Sequence, residues 1–334
     1  MNKIMLSHGS GGKITNELIK DIFQKHFDFT ELRKCDDGGL LKVESCDLVL
    51  STDSYVVTPI IFPGGDIGSL SISGTINDLA SMGAEPICIS VGFILEEGLS
   101  FNVLESIVCS MKDTLKKEKV PIITADTKVI ESKHGKEKGV FINTTGVGKV
   151  LKSIPGRFSI KSGDNIIING HLAEHGFAVL CARLKLTDEE TIISDAKPLW
   201  GLVKSVLREV NVKFMRDPTR GGVAGVLNEI VDGMDFGIIL YEDRLPISDK
   251  VKGVSELLGI DPLEVACEGK MIFVVDRAQT NRAIEQLRSH PDGKNSQVIG
   301  EITDEFKGKV VIVSPYGTKR ILAMPSGERL PRIC

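Results

Sequence analysis

Four separated stretches in the first half of the chain present aspartates: Asp36-Asp37, Thr52-Asp53, Asn77-Asp78 and Ala125-Asp126. Two carboxylates about 4 Å apart repel by roughly 4 kcal/mol at an effective dielectric near 20, so a convergent set calls for protons, basic partners or cations. Hard oxygen donors suit Mg2+, particularly where the phosphates of a bound molecule complete its shell. Asp36, Asp37, Asp53, Asp78 and Asp126 are therefore candidate metal ligands, although each alone reads equally well as a turn or cap residue.

Two glycine-containing stretches could meet such phosphates. In His8-Gly-Ser-Gly-Gly-Lys13, ahead of a helical run over Ile14–Phe27, the backbone N–H groups of Gly9, Ser10, Gly11 and Gly12 can join Lys13 in a phosphate cradle. The loop lacks Walker A spacing, and a flexible turn explains it equally. Met215-Arg-Asp-Pro-Thr-Arg-Gly-Gly222 precedes an apolar-periodic helix, with Asp217 or Thr219 as cap and Arg216 and Arg220 as anion donors. Gly221 and Gly222 permit close backbone approach there, and the combination favours a phosphate site over a plain capped helix. The third feature is Cys334, closing the stretch Pro325-Ser-Gly-Glu-Arg-Leu-Pro-Arg-Ile-Cys334. A thiol on a basic, glycine- and proline-punctuated tail suits a covalent carrier better than a core position, and a prenylation box is excluded by its place.

The elements that must position these groups alternate between strand-like and helix-like runs, which makes the class mixed α and β. Short apolar strands, Leu48–Leu50 and Val120–Ile123, deliver Asp53 and Asp126 near their tips. A helix is expected over Asp66–Met82, capped by Asp66 and stopped at Gly83, with small residues that imply a close neighbour. Asn77 and Asp78 inside it are poor helix formers, a broken local rule that hints at function. Further helices are expected over Asn102–Lys119, near Ala196–Val210 and over Gly221–Asp232. Strands are expected at Asn165–Asn169, Phe236–Tyr241, Met271–Val275 and Val310–Val313. Punctuation by Pro, Gly and Ser around Lys152–Gly163 divides the chain into 1–152, 153–324 and a tail, 325–334.

At 334 residues the chain can bury two cores. With 42% apolar and 26% charged residues it reads as soluble, and a net charge of −4 argues against nucleic acid or an anionic membrane as partner. No run is long enough to span a bilayer and no secretory segment opens the chain. Seven cysteines, an odd number without a C-x-x-C pair, make a disulfide framework or zinc site poor readings and point to a reducing cytoplasm. Cys88, Cys109 and Cys181 lie among apolar neighbours and read as small buried hydrophobes.

Together these segments resemble the aminoimidazole-ribonucleotide synthetase-like (PurM-like) ATP-binding superfamily and, within it, the HypE family of carbamoyl dehydratases that serve hydrogenase maturation. The likeness runs the length of the chain. It rests on His8–Lys13, Asp36-Asp37, Thr52-Asp53-Ser54, Asn77-Asp78-Leu-Ala80, Asp126-Thr-Lys128, Arg216–Gly222, Cys267-Glu-Gly-Lys270 and Pro331-Arg-Ile-Cys334. The tail is its most specific part: thiamine-monophosphate kinases resemble the chain at the aspartates but lack such a tail. Selenophosphate synthetases carry a cysteine or selenocysteine near the glycine-rich loop, which has none here. One departure is Ala173-Glu-His-Gly176, where the family has Gly-Asp-His-Gly.

The resemblance implies a two-domain α/β fold whose N-terminal sheet domain dimerises into a barrel beside a C-terminal α/β domain. It also implies ATP and Mg2+ in a cleft, with Asn77 and Thr127 among the nucleotide contacts. A carbamoyltransferase, HypF, would place a carboxamide on Cys334, and ATP-dependent dehydration would convert that thiocarbamate to a thiocyanate. The cyanide would pass to a HypC–HypD scaffold complex for the iron of nickel–iron hydrogenase. Glu268 would be the base and Lys128 would polarise the reacting oxygen or phosphate; the residues alone read as a surface carboxylate and a solvated loop charge. A small-molecule kinase or synthetase of the same superfamily, or a non-enzymatic carrier on a cysteine tail, are the alternatives.

Overall fold

The structure, a computed structural model, describes residues 39–44, 46–131, 139–186 and 192–325, together with 13, 14, 17 and 20. Gly9, Ser10, Gly11, Gly12, Asp36, Asp37 and Cys334 lie outside the described residues. Along the first half, strands β1 (Gly39–Val43) and β2 (Cys46–Tyr55) lead to a two-strand hairpin, β3 (Ile61–Phe62) and β4 (Gly65–Asp66). Helix α1 (Ile67–Ser81), β5 (Ala84–Glu96), helix α2 (Phe101–Glu118), β6 (Ile122–Ile130) and β7 (Val140–Val150) follow. They form a five-stranded sheet of order β1-β2-β7-β5-β6, antiparallel except for the β5–β6 edge pair, whose crossover is α2.

The second half runs β8 (Asn165–Ile168), α3 (Glu174–Leu184), α4 (Trp200–Glu209), β9 (Val212–Arg216), α5 (Gly222–Val231), β10 (Gly237–Tyr241) and α6 (Asp249–Leu258). It closes with β11 (Ile272–Val275), α7 (Thr280–Ser289), β12 (Gln297–Thr303), β13 (Val310–Val313) and β14 (Lys319–Leu322). These strands make a seven-stranded sheet of order β14-β13-β10-β12-β8-β11-β9. The mixed α/β class expected from the sequence is the class observed.

Helix α1 joins the halves. The Ser69 N–H donates to Asp66 Oδ1 at 2.9 Å and Asp66 N–H donates back to Ser69 Oγ at 3.1 Å, a reciprocal cap that fixes where the helix begins. It ends at Met82, followed by Gly83 at φ +69°. Thirteen of its fifteen residues are buried, because β2 and β7 cover one side, α2 another and α4 of the second half a third. Its small residues serve that crowding: a Cβ on Gly68 would come within 2.5 Å of the Ile107 carbonyl oxygen on α2. One apolar core accordingly runs through both halves, from Ile72 and Ile142 to Trp200 and Phe273.

Two expectations need correction. Helix α4 starts at Trp200 rather than Ala196, because Pro198 disfavours helical backbone at Lys197 and the Leu199 N–H is taken by Asn77 Oδ1 at 2.8 Å. Cys109 is exposed on the outer face of α2, and Cys88 is half-buried; only Cys181 of the three is a buried hydrophobe. Among the described residues no helix is long and apolar enough to cross a membrane.

Since the Gly68 contact is with backbone, Gly68→Ala should force α1 and α2 apart. It is expected to cost about 1–3 kcal/mol, as overpacking does, read as a lowered thermal unfolding midpoint; an unchanged midpoint would show that the helix pair has slack.

Candidate functional site

One cleft gathers Asp53, Ser54, Gly74, Asp78, Asp217, Thr219, Arg220 and Glu268. Asp53 comes from the end of β2, Asp78 from the last turns of α1, Asp217–Arg220 from the loop between β9 and α5, and Glu268 from the loop before β11. Strand β2 can lie this close to α1 because residue 74 is glycine; any Cβ there would run into the Tyr55 phenol. The carboxylates on that side are already oriented. Ser51 Oγ donates to Asp78 Oδ2 at 2.5 Å, and the Ser54 N–H donates to Asp53 Oδ1 at 2.8 Å.

The wall opposite is built by glycines. Gly221 and Gly222 have φ of +78° and +57°, and a Cβ on Gly222 would lie 2.6 Å from Leu263 O and 2.7 Å from Val265 O. Helix α5 therefore starts flush against the segment that leads to Glu268. Its N-cap is Gly221, without a side-chain cap, so Asp217 and Thr219 line the cleft rather than capping the helix. Arg220 stands at this positive helix end, whereas Arg216 turns away to pair with Glu229 at 2.8 Å.

The charge balance of the cleft is negative. Glu268 is 1% and Asp217 4% exposed, and Asp53 and Asp78 are half-buried. Tyr55, beneath them, registers the field: burial pushes its phenol well up, and the charges of Asp53, Asp78 and Glu268 push it further. Among the described residues Arg220 is the cation lining this cleft, so the cleft is arranged to receive more positive charge. Its oxygen donors have the chemistry of a Mg2+ site shared with phosphates. Among the described residues, however, no three carboxylate, imidazole or thiol groups lie close enough to hold a metal without other ligands.

The segment bearing Glu268 is fixed along its length. The Cys267 N–H donates to Pro218 O at 2.9 Å, Glu268 N–H to Asp195 Oδ1 at 3.2 Å, and Met271 N–H to Asn169 Oδ1 at 2.7 Å. Lys270 Nζ meets Asp195 Oδ2 at 2.7 Å and Glu174 at 3.4 Å, almost out of reach of solvent. Burial alone would raise the Asp195 carboxyl, but the Lys270 ammonium outweighs it and holds the group below the usual carboxylate range. Burial alone would lower Lys270, yet Asp195 and Glu174 keep it raised. Burial also pushes the Cys267 thiol far up, which makes it unreactive at neutral pH.

Other expected site residues lie elsewhere in the chain. Asp53 pairs across the sheet with Thr144, Thr144 with Val91 and Val91 with Ala125, so Asp126 is three strand spacings, about 14 Å, away. It also lies in the next row, on the opposite face. Lys128 Nζ contacts both Asp126 oxygens, at 2.9 and 2.7 Å, and this bond, with the Thr127 N–H, holds Asp126 below its ordinary range. Within one chain Asp126, Thr127 and Lys128 therefore do not meet the cleft. Lys13 is solvent-facing at 3.8 Å from Glu17. Asn77, expected at the nucleotide, is 0% exposed with its amide engaged by backbone of the second half. Sequence reasoning did not find Tyr55 or Asp195, and it quoted Lys270 only within the Cys267–Lys270 motif; only the opposite charges of Asp195 and Lys270, 75 residues apart, could have signalled a pair.

The AIR synthase related protein N-terminal domain matches residues 35–150, and the corresponding C-terminal domain matches residues 161–313. The chain is 41% identical to the carbamoyl dehydratase HypE of Escherichia coli, with all of both chains covered. It is 42% identical to a putative hydrogenase expression/formation protein of Methanocaldococcus jannaschii, over 99% of this chain and 100% of that one. Among solved structures, the HypE–HypF complex matches with a TM-score of 0.84 at 41% identity, covering 92% of this chain and 99% of that one. HypE in complex with ATP matches with a TM-score of 0.81 at 38% identity, covering 99% and 100%. Thiamine monophosphate kinase of Aquifex aeolicus shares the fold at 18% identity and a TM-score of 0.66, over 91% of this chain and 100% of that one.

The Asp195–Lys270 pair gives a stability prediction. Asp195, with its lowered value, contributes stability above its unfolded value and loses it as pH falls through the folded one. Lys270, with its raised value, contributes below its unfolded value and loses it as pH rises through the folded one. Lys270→Met leaves Asp195 buried without its cation, which should cost about 3–5 kcal/mol at neutral pH and less in acid, where Asp195 takes up a proton. Denaturant unfolding at several pH values checks this; a loss independent of pH would contradict the pairing.

Proposed function

Since the chain belongs to the HypE family of carbamoyl dehydratases, we propose that it dehydrates a carboxamide carried on its own Cys334 to a thiocyanate, at the expense of ATP. The observation that carries this reading is where Pro325, the last described residue, sits. Pro325 packs beside Gly221, 3.8 Å from where a Cβ on that glycine would stand, and Gly221 follows Arg220 of the cleft. The Asn228 amide fixes the departure point by donating to Leu322 O at 3.0 Å. The nine residues beyond Pro325, ending at Cys334, can span about 30 Å extended, ample to bring the thiol back to the cleft.

Arg220 and the first N–H groups of α5 bind the terminal phosphates of ATP, with the glycine loop Gly9–Gly12 and Lys13 as further contacts. Asp53 and Asp78, with Asp36 and Asp37 and with Asp126 from a second copy, would hold Mg2+, which would supply charge neutralisation for phosphoryl transfer. The thiocarbamate oxygen attacks the γ-phosphorus and ADP leaves, giving an O-phosphorylated intermediate. Glu268 accepts an N–H proton, the second N–H proton is also released, and the C–O bond breaks as phosphate departs, leaving S–C≡N on Cys334. Phosphorylation is needed because an amide oxygen is otherwise a poor leaving group.

The same reading makes the chain a homodimer. Every residue of β6 is exposed, with Ile123 and Val129 at 66% and 67%, on a sheet edge that is unpaired among the described residues. A second copy packed on that edge and face would let Asp126, Thr127 and Lys128 reach a cleft that they do not reach in their own chain. A HypF-type carbamoyltransferase supplies the carboxamide, and a HypC–HypD-type scaffold accepts the cyanide. The relative solved with HypF supports the first of these partners.

Intact mass after incubation with the carbamoyltransferase, carbamoyl phosphate and ATP–Mg tests the chemistry. A carboxamide adduct on Cys334 should form and lose the mass of one water, and Glu268→Gln should keep the adduct and nucleotide binding but not lose the water. An adduct that never loses water would mean a carrier; no adduct with an active transferase would favour a kinase-like enzyme. For the dimer, Val129→Asp should give monomers by light scattering, and a dimer that persists would move the interface elsewhere.

A further inference from the structure

One residue between the two halves of the molecule, Glu268, is gripped through both of its backbone groups. Glu268 N–H donates to Asp195 Oδ1 at 3.2 Å, while Glu268 C=O accepts from Asn77 Nδ2 at 3.0 Å. Asn77 Nδ2 also donates to Lys197 O at 3.1 Å, and its Oδ1 accepts from Leu199 N–H at 2.8 Å. Both donors and one acceptor site of this buried amide are thus directed at backbone of the second half, which leaves it no N–H for a nucleotide. The neighbouring residue, Gly269, could carry no side chain without collision with the Asp195 carbonyl.

The position of Asn77 in the chain gives this grip its meaning. The next residue is Asp78, on the same turn of α1, and Asp78 and Glu268 line one cleft. A polar amide in the middle of a buried helix is a poor helix former, and every partner found for it lies across the junction. Asp195, itself held by Lys270, accepts from the N–H of the same residue. The clasp thus spans the junction between the halves and ends one residue from a carboxylate on one side and at the Glu268 peptide on the other.

We infer that Asn77 is a positioning residue for the reaction: its side chain fixes the spacing between the Asp78 carboxylate, in the first half, and the Glu268 carboxylate, in the second. The inference rests on the dehydratase reading. It makes Asn77 act through Glu268 and not through ATP. A displacement of about 1 Å at a reacting group can cost on the order of 100-fold in rate, whereas affinity for a nucleotide held by Arg220 and the α5 N-terminus should change little.

The test uses the full chain with its carbamoyltransferase and compares wild type with Asn77→Ala and Asn77→Ser. Two quantities are read: kcat and the ATP KM for water loss from the Cys334 adduct, and amide hydrogen exchange over residues 266–270. Positioning predicts kcat lowered about 100-fold, ATP KM within about threefold, and faster exchange at 266–270. An ATP KM raised with kcat retained would make Asn77 a nucleotide contact, and unchanged kcat or unchanged exchange would equally overturn the inference. Should Asn77→Ala fail to fold, Asn77→Ser, which keeps a polar atom in the buried site, carries the comparison. A wild-type adduct that keeps its water would defeat the dehydratase reading instead, and exchange at 266–270 would then judge the clasp alone.

Discussion

Burial of α1 on nearly every side is the constraint from which the rest of the molecule follows. A helix surrounded by a sheet, a second helix and elements of another domain cannot present an ordinary polar face. Glycine and serine must stand where neighbours come closest, and each polar group on the helix must find a partner inside the protein. Ser71 and Ser73 do so by bonding back to the helix carbonyls of Gly68 and Ser69, and Thr75 by meeting Thr144 of β7. Asn77 does so across the domain junction. Asp78 is the exception, half-buried at the cleft, where Ser51 orients its carboxylate. The helix is at once the core of one domain, the joint to the other and a wall of the site.

The second domain answers with rigidity of a different kind. Glu268 reaches the cleft from an irregular segment, and irregular segments are ordinarily where proteins move. Here the segment is held by bonds from Pro218, Asp195, Asn169 and Asn77, while the buried Asp195–Lys270 pair anchors one of those partners in turn. A buried ion pair is weak evidence for stability in itself, and its retention suits a role in holding geometry.

Much of this was legible in the sequence, and the limits have physical reasons. The cap at Asp66, the stop at Gly83 and the glycine pair opening α5 are local signals, governed by neighbours in the chain, and they located both helices closely. The odd Asn77-Asp78 pair did not reveal that the first residue faces a domain junction and the next a cleft, since that division depends on what packs there. The distance between Asp53 and Asp126 was hidden for a similar reason. Strand order β1-β2-β7-β5-β6 inserts two strands between their own, and no local pattern encodes strand order. The late start of α4 could have been anticipated from Pro198 alone.

The place of Pro325 beside Gly221 turns a question of affinity into one of effective concentration. On the proposed reading, a group carried on Cys334, nine residues beyond Pro325, would meet the cleft at a local concentration on the order of millimolar, whatever the concentration of the protein. The cleft therefore needs no strong intrinsic hold on the carried group. Weak capture would then be an advantage, because a carrier thiol must also give up its group to other proteins. Every exchange with an outside partner then competes against a return to the cleft, and the balance is set by tether length as much as by any contact.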